Sequence, residues 1–298
     1  LGLILTFSVL QWALQSPLYA PNDGRGFWTY AYMSGTTFFT LGYGDVTPSG
    51  TLGRVLAVIE AGMGLGFLAL VIGYLPVIYQ AFSRREVNIS LLDARAGSPP
   101  TAAELIRRHS GNMQELDLLM RDWEKWSSEF MESHISYPVL CYYRSQHNNQ
   151  SWLAALTAIL DASALVSIGV DGASRRQAKL TFAMARHAVV DLAQILNTSP
   201  RPPWPDRLPP KALERMRAAL AVEGVTIVEG DDLDGKLAEL RRLYEPYLNA
   251  LGCYLSVSLS PWCPSTEAFD NWQTSAWEKI SAGVTAPVGS ARDAAEHF

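Results

Sequence analysis

Residues 40–45 read Thr40-Leu41-Gly42-Tyr43-Gly44-Asp45, and the fold of the first third of the chain turns on them. An aromatic stretch, residues 27–38, precedes them and is too short to cross a bilayer. After them comes a long apolar run, residues 51–82, whose charged residues are Arg54 and Glu60. As a helix that run is about 48 Å long, more than the ~30 Å hydrocarbon core requires. Residues 1–15 form a second apolar segment, ended by Ser16-Pro17 because a proline restricts the residue before it. At about 22 Å it is short of a full span, and it is read as a membrane helix whose beginning precedes this chain. The segment between the two apolar runs is read as a re-entrant helix followed by a loop. Non-helical backbone at membrane depth is tolerated where it lines a polar cavity.

Charge divides the chain in the same way. Residues 1–80 hold two basic residues, Arg25 and Arg54, and three acids, Asp23, Asp45 and Glu60; all other charges lie beyond. Arg84-Arg85 follow the apolar run directly, which predicts a cytoplasmic side there. The whole chain of 298 residues carries a net charge of −5, which argues against a broad basic surface for nucleic acid. Cys141, Cys253 and Cys263 are too scattered for a disulfide framework or a zinc site. The spacing of His134, Cys141 and His147 fits no standard zinc pattern, and Cys141 with His147 makes no supported nucleophile–base pair.

The order apolar helix, short aromatic helix, Thr-Leu-Gly-Tyr-Gly-Asp, apolar helix resembles the pore domain of two-transmembrane potassium channels over roughly residues 1–84. The family's filter is Thr-Val-Gly-Tyr-Gly. The resemblance implies an outer helix, a pore helix, a filter and an inner helix, assembled as a homotetramer in a lipid bilayer. The transported ion is K+, with no cofactor. The carbonyls of Thr40, Leu41, Gly42 and Tyr43, with the Thr40 hydroxyl, replace the ion's hydration shell. Successive carbonyls aimed at one axis require left-handed dihedrals, which Gly42 and Gly44 adopt without a Cβ penalty. Tyr43 is expected to point into the pore-helix layer as a strut. Asp45 stands at the outer mouth, where four carboxylates attract cations.

Departures from the family lie in the pore helix. Tyr32-Met33 stand where a bracing Trp pair is often found, and Thr36 where an acid often sits behind the filter. They motivate two alternatives, a non-selective cation channel and a non-conducting membrane-anchored sensor. In register Gly64 falls at the family's hinge glycine, and Pro76, twelve residues on, falls near its intracellular constriction; both are expected to serve gating. Glu60, a charge in a membrane helix, costs about 2.5–3.5 kcal/mol at the bilayer centre. It is expected to hydrogen-bond behind the filter in place of the brace absent at Thr36.

The remainder is expected to be all-α and cytoplasmic, with a ligand or partner that the sequence does not name. Residues 84–100 read as a linker and 101–198 as a helical domain. Residues 199–210, rich in proline, read as a stiff linker, and 211–298 as a smaller, mostly helical part whose residues 261–298 thin out into a polar tail. Residues 152–170 are as apolar as a span but hold Asp161 and are flanked by Arg144 and Arg175-Arg176, so they read as a buried helix. No Gly-rich nucleotide fingerprint follows a strand. With no catalytic signature, the chain is not read as an enzyme.

Overall fold

The computed structural model describes residues 1–21, 26–147, 149–227 and 233–264. It is all-α apart from one two-residue ladder and an isolated bridge, and it divides into two compact units, residues 1–80 and 81–298.

The first unit holds α1 (Gly2–Ala13), β1 (Leu18–Tyr19), α2 (Phe27–Phe38), β2 (Thr47–Pro48) and the first part of α3 (Thr51–Ala96). Helix α1 buries Ile4, Phe7, Ser8 and Gln11, a stripe at helical spacing, and leaves Leu3, Leu5, Val9, Leu10 and Trp12 exposed. β1 pairs antiparallel with β2, Leu18 opposite Pro48 and Tyr19 opposite Thr47. Ser49 reinforces this junction by donating its N–H and its hydroxyl to the Pro17 carbonyl. The Tyr30 hydroxyl donates to the Ser16 carbonyl, and Arg54 Nε donates to the Pro48 carbonyl.

Helix α3 is 46 residues long, about 69 Å, and stays helical through Pro76. Its most apolar 18-residue window is 11% buried, whereas the corresponding window of α6 (Trp152–Gly169) is 89% buried. Two helices that both pass a length-and-hydropathy test for spanning thus have opposite surroundings. Leu65, Leu68, Leu70, Ile72 and Leu75 of α3 present bare apolar surface, as a bilayer-facing helix does. α6 is clothed by protein, as its flanking charges predict.

The second unit is a single helical core. It comprises the rest of α3, α4 (Ala102–Arg107), α5 (Met113–Ser136), a 3₁₀ turn (Pro138–Tyr142), α6, α7 (Arg175–Ile195), α8 (Pro210–Val222), α9 (Leu233–Arg242) and α10 (Glu245–Leu255). Side-chain caps start three of these helices: Thr101 accepts from Glu104 N–H, Ser151 from Ala154 N–H, and Ser174 from Gln177 N–H. On α5 the residues Leu116, Leu119, Met120, Trp123 and Phe130 form the buried face, as their spacing predicts.

Two boundaries differ from expectation. The stretch 84–100 is not an open connector: α3 continues to Ala96, and Ile89 and Leu92 join the core because they fall on its apolar face. The proline-rich stretch does not separate two cores. Leu208, Leu213, Met216 and Leu220 belong to the same cluster as α5, α6 and α7. What draws it in is Arg207, which donates to Asp161 Oδ1 and Oδ2 at 3.3 and 2.5 Å, to Glu245 Oε1 at 2.9 Å and to the Ser260 carbonyl at 2.6 Å. The Tyr244 hydroxyl donates to Asp161 at 2.6 Å, and Trp262 lies 5.8 Å from the Arg207 guanidinium. Burial works against the Arg207 charge, but Asp161 outweighs it and raises the group above its ordinary value. Trp262 is buried, so the expected polar tail does not begin at residue 261; residues 265–298 lie outside the described residues.

Arg85 is buried as well. It donates to the carbonyls of Leu140 at 2.9 Å and Tyr143 at 2.7 Å, and its Nη1 lies 3.3 Å from His134 Nε2. His134 Nδ1 lies 2.8 Å from the Phe130 carbonyl. These contacts suit a neutral imidazole with the proton on Nδ1. Burial, then the Arg85 charge, push the His134 pKa down to about 3.

Two outcomes follow for the second unit. Arg207→Met strands the Asp161 carboxylate in the core and is expected to cost about 3–5 kcal/mol, read by chemical denaturation with tryptophan fluorescence. Because the folded pKa of His134 lies below its unfolded value near 6.5, the unfolded chain binds the extra proton between the two. Its contribution is therefore present above pH 6.5 and lost as pH falls toward 3. His134→Gln keeps an acceptor for Arg85 and is expected to flatten that part of the stability–pH curve.

Candidate pore segment

The site grows from α2, a twelve-residue helix with Tyr30, Met33, Ser34, Thr36 and Phe38 buried. Its C-terminal carbonyls have no intrahelical partner, so they must be met from outside the helix. The loop meets them. Leu41 N–H donates to the Thr36 carbonyl at 2.8 Å, and Gly42 N–H lies 3.4 Å from the same oxygen. The Thr36 hydroxyl turns back onto its own helix, donating to the Met33 carbonyl at 2.9 Å. Thr36 thus holds the loop by its backbone, a role that no side-chain pattern discloses.

Beyond the helix, positive φ recurs at every second residue: 54° at Thr40, 55° at Gly42 and 78° at Gly44. Two of these three positions are glycine, as the left-handed region favours; Thr40 adopts it despite its β-branch. Leu41 and Tyr43 are 54% and 69% exposed in the single chain. Tyr43 therefore does not reach a pore-helix layer of its own chain. Asp45 accepts a hydrogen bond from the Tyr32 hydroxyl at 2.9 Å, which ties the end of the segment back to α2. Tyr32 thus bonds to the loop from one of the two positions where the resembled family often carries a Trp pair.

Glu60 of α3 is fully buried and shares a short hydrogen bond with Ser34 of α2. The Ser34 hydroxyl also lies 2.9 Å from the Ile4 carbonyl of α1. Ser34 therefore stands where all three helices of the unit meet. Glu60 Oε2 has no partner among the described residues. The acid thus contacts the pore helix rather than the loop itself. Ser34 was not legible as its partner because a serine inside an aromatic helix carries no charge pattern.

Gly64 has a packing reason to be glycine. A Cβ built on it would lie 2.0 Å from the Phe38 carbonyl oxygen, whereas Gly62 and Gly66 have open space around theirs. The end of α2 therefore rests directly on the α3 backbone. Pro76 stands inside α3, where it removes one backbone hydrogen bond.

Gly64→Ala is expected to push the α2 terminus away and to lower the yield of folded, monodisperse protein in detergent, while Gly62→Ala and Gly66→Ala leave it unchanged. Size-exclusion chromatography with thermal unfolding checks this.

Comparison with known proteins agrees with the geometry. Residues 2–80 match the family described as "Ion channel". Over 141 residues the chain is 23% identical to "Uncharacterized membrane protein YdjJ" of Bacillus subtilis (strain 168), an alignment that covers 47% of this chain and 40% of that relative. The chain thus spans well under two thirds of the relative's length. No solved structure matches the chain. A short buried helix seated on α3 at Gly64, a loop of alternating positive φ and a bare apolar α3 accord with these matches: residues 2–80 are similar to the ion-channel family, and the chain is similar to a membrane protein.

Proposed function

We propose that the chain is a potassium-selective channel that conducts as a homotetramer through the segment 40–44. The alternating positive φ at Thr40, Gly42 and Gly44 carries this reading. Alternation of hand turns successive carbonyls toward one side, and four such segments around an axis supply the rings of oxygen that replace a K+ hydration shell. One chain contributes a quarter of each ring, so the assembly is closed and fourfold. The exposed Tyr43 and Leu41 side chains then become contacts between neighbouring subunits. Asp45, held by Tyr32, places a carboxylate at the outer mouth.

On this reading α1 and α3 cross the bilayer, and the unit 81–298 is cytoplasmic, consistent with Arg84 and Arg85 after the span. Gly64 and Pro76 remain the gating positions, with Gly64 also holding the pore helix. An ion-channel segment speaks for transport rather than catalysis.

A non-selective cation pore is the second reading. It is favoured by the small number of bonds that brace the segment: the Thr36 carbonyl at one end and Tyr32–Asp45 at the other. Reconstitution in liposomes decides. The expected result is K+ flux that barium blocks and a reversal potential that follows K+ in mixed K+ and Na+. Tyr32→Phe is expected to lower the K+/Na+ permeability ratio several-fold while leaving flux in place. A reversal potential that follows Na+ in the unmodified protein selects the second reading, and absence of flux under all conditions selects a non-conducting sensor.

A further inference from the structure

The second unit contains a cavity of about 530 Å³, within the size range of small-molecule sites. It is lined by the 3₁₀ turn and the loop after it, by the start of α6 and by the segment after α10. Arg144 and His147 stand in its wall, and the lining residues include no carboxylate. The N-terminus of the 18-residue helix α6 enters it through Ser151 and Trp152. That end carries the positive pole of the helix; the Ser151 hydroxyl takes the Ala154 N–H, and the N–H groups before it have no intrahelical partner. The wall therefore presents positive charge from Arg144, whose Nη2 also reaches the Leu255 and Ser256 carbonyls at 3.3 Å, and from the helix pole, with His147 beside them as a further polar group.

Two lining side chains also hold buried polar atoms with no partner among the described residues, Ser145 Oγ and Gln150 Oε1. The Gln150 amide is oriented, because its Nε2 donates to Asp93 of α3. Oε1 is thus an acceptor that needs a donor, and a hydroxyl beside it offers both roles. A buried polar atom that nothing meets keeps the full penalty of leaving water. Such a pair inside an electropositive cavity describes a ligand that brings a donor as well as negative charge.

We propose that this cavity binds a small organic anion. Its carboxylate or phosphate lies against Arg144, His147 and the start of α6, and an N–H or O–H group of the same molecule donates to Gln150 Oε1. The site is also wired to α3. Arg85 holds the Leu140 and Tyr143 carbonyls of the cavity's turn, and Asp93 holds Gln150. Occupancy is therefore felt by the stretch 85–96 of α3. On the channel reading this same helix lines the pore, but the binding site itself stands on the cavity alone.

The test uses the full chain in detergent, with adenosine monophosphate, glutamate and inorganic phosphate as probes. At saturation, adenosine monophosphate or glutamate is expected to raise the thermal midpoint by about 5 °C or more. Arg144→Gln is expected to weaken that ligand at least tenfold. Ser258→Trp puts a large ring into the lining, leaves every charged group in place, and is expected to abolish the shift; it serves as the decisive variant if Arg144→Gln lowers the unliganded midpoint. Hydrogen exchange over residues 85–96 is expected to slow with ligand. The site is overturned if no probe shifts the midpoint, if inorganic phosphate acts as well as the organic anions, or if Ser258→Trp retains the full shift. Unchanged exchange over 85–96 overturns the link to α3. None of these measurements reads ion flux, so a silent channel and an empty site are told apart.

Discussion

A backbone segment at membrane depth must find all of its hydrogen-bond partners within the protein, since hydrocarbon supplies none. The first unit is organised around that constraint. On the channel reading α2 is too short to cross, so its C-terminus ends inside the apolar layer with carbonyls to satisfy. The Thr36 carbonyl is met by the loop that leaves the helix. The Phe38 carbonyl is pressed against α3 at a residue with no side chain. Ser34 joins α1 and α3 through Ile4 and Glu60. The loop conformation is then the remaining way out: it must leave a pinned helix end and return to the surface by Asp45, whose carboxylate Tyr32 holds.

The second unit solves a different problem with different residues. In its protein core, charges are tolerated where they are paired. Asp161 sits in the middle of α6, a helix otherwise fit for a bilayer, and is matched by Arg207 from the proline-rich stretch and by Tyr244. Glu245 extends the group to Arg241 of α9, at 3.1 Å. This network converts a segment of low helix content into a strap across the core. It also fixes which α6 face meets the strap, since an unpaired Asp161 would be costly in any other orientation.

The sequence disclosed the elements whose signals are local. Alternating glycines in Thr-Leu-Gly-Tyr-Gly-Asp and the long apolar run in α3 each lie within one window and each appears in the structure. The boundary of the α3 run was not legible, because the charges from Arg84 onward mark where an apolar layer ends and not where a helix does. Arg207 was hidden for the opposite reason: six nearby prolines read as a spacer, and its partners lie 46 and 38 residues away along the chain. Glu60 was visible as an anomaly, yet its partner was not, because serine bears no mark of pairing. Gly64 stood out as one glycine of three, and only the position of the Phe38 carbonyl separates it from Gly62 and Gly66.

Arg85 shows why a charge rule and a packing role can share a residue. As a basic residue after an apolar run it is what a charge rule would count toward a cytoplasmic side. That rule is indifferent to what the guanidinium touches. Here it is buried against the Phe82 ring, 5.0 Å away, and its planar donors collect the Leu140 and Tyr143 carbonyls. A lysine would keep the charge but not the fork that reaches both oxygens. The neutral state of His134 belongs to the same arrangement, since a second cation beside the guanidinium would oppose it. Arg85 therefore constrains the protonation of one neighbour and the backbone of the turn at once, and the position of that turn sets one wall of the cavity beside it.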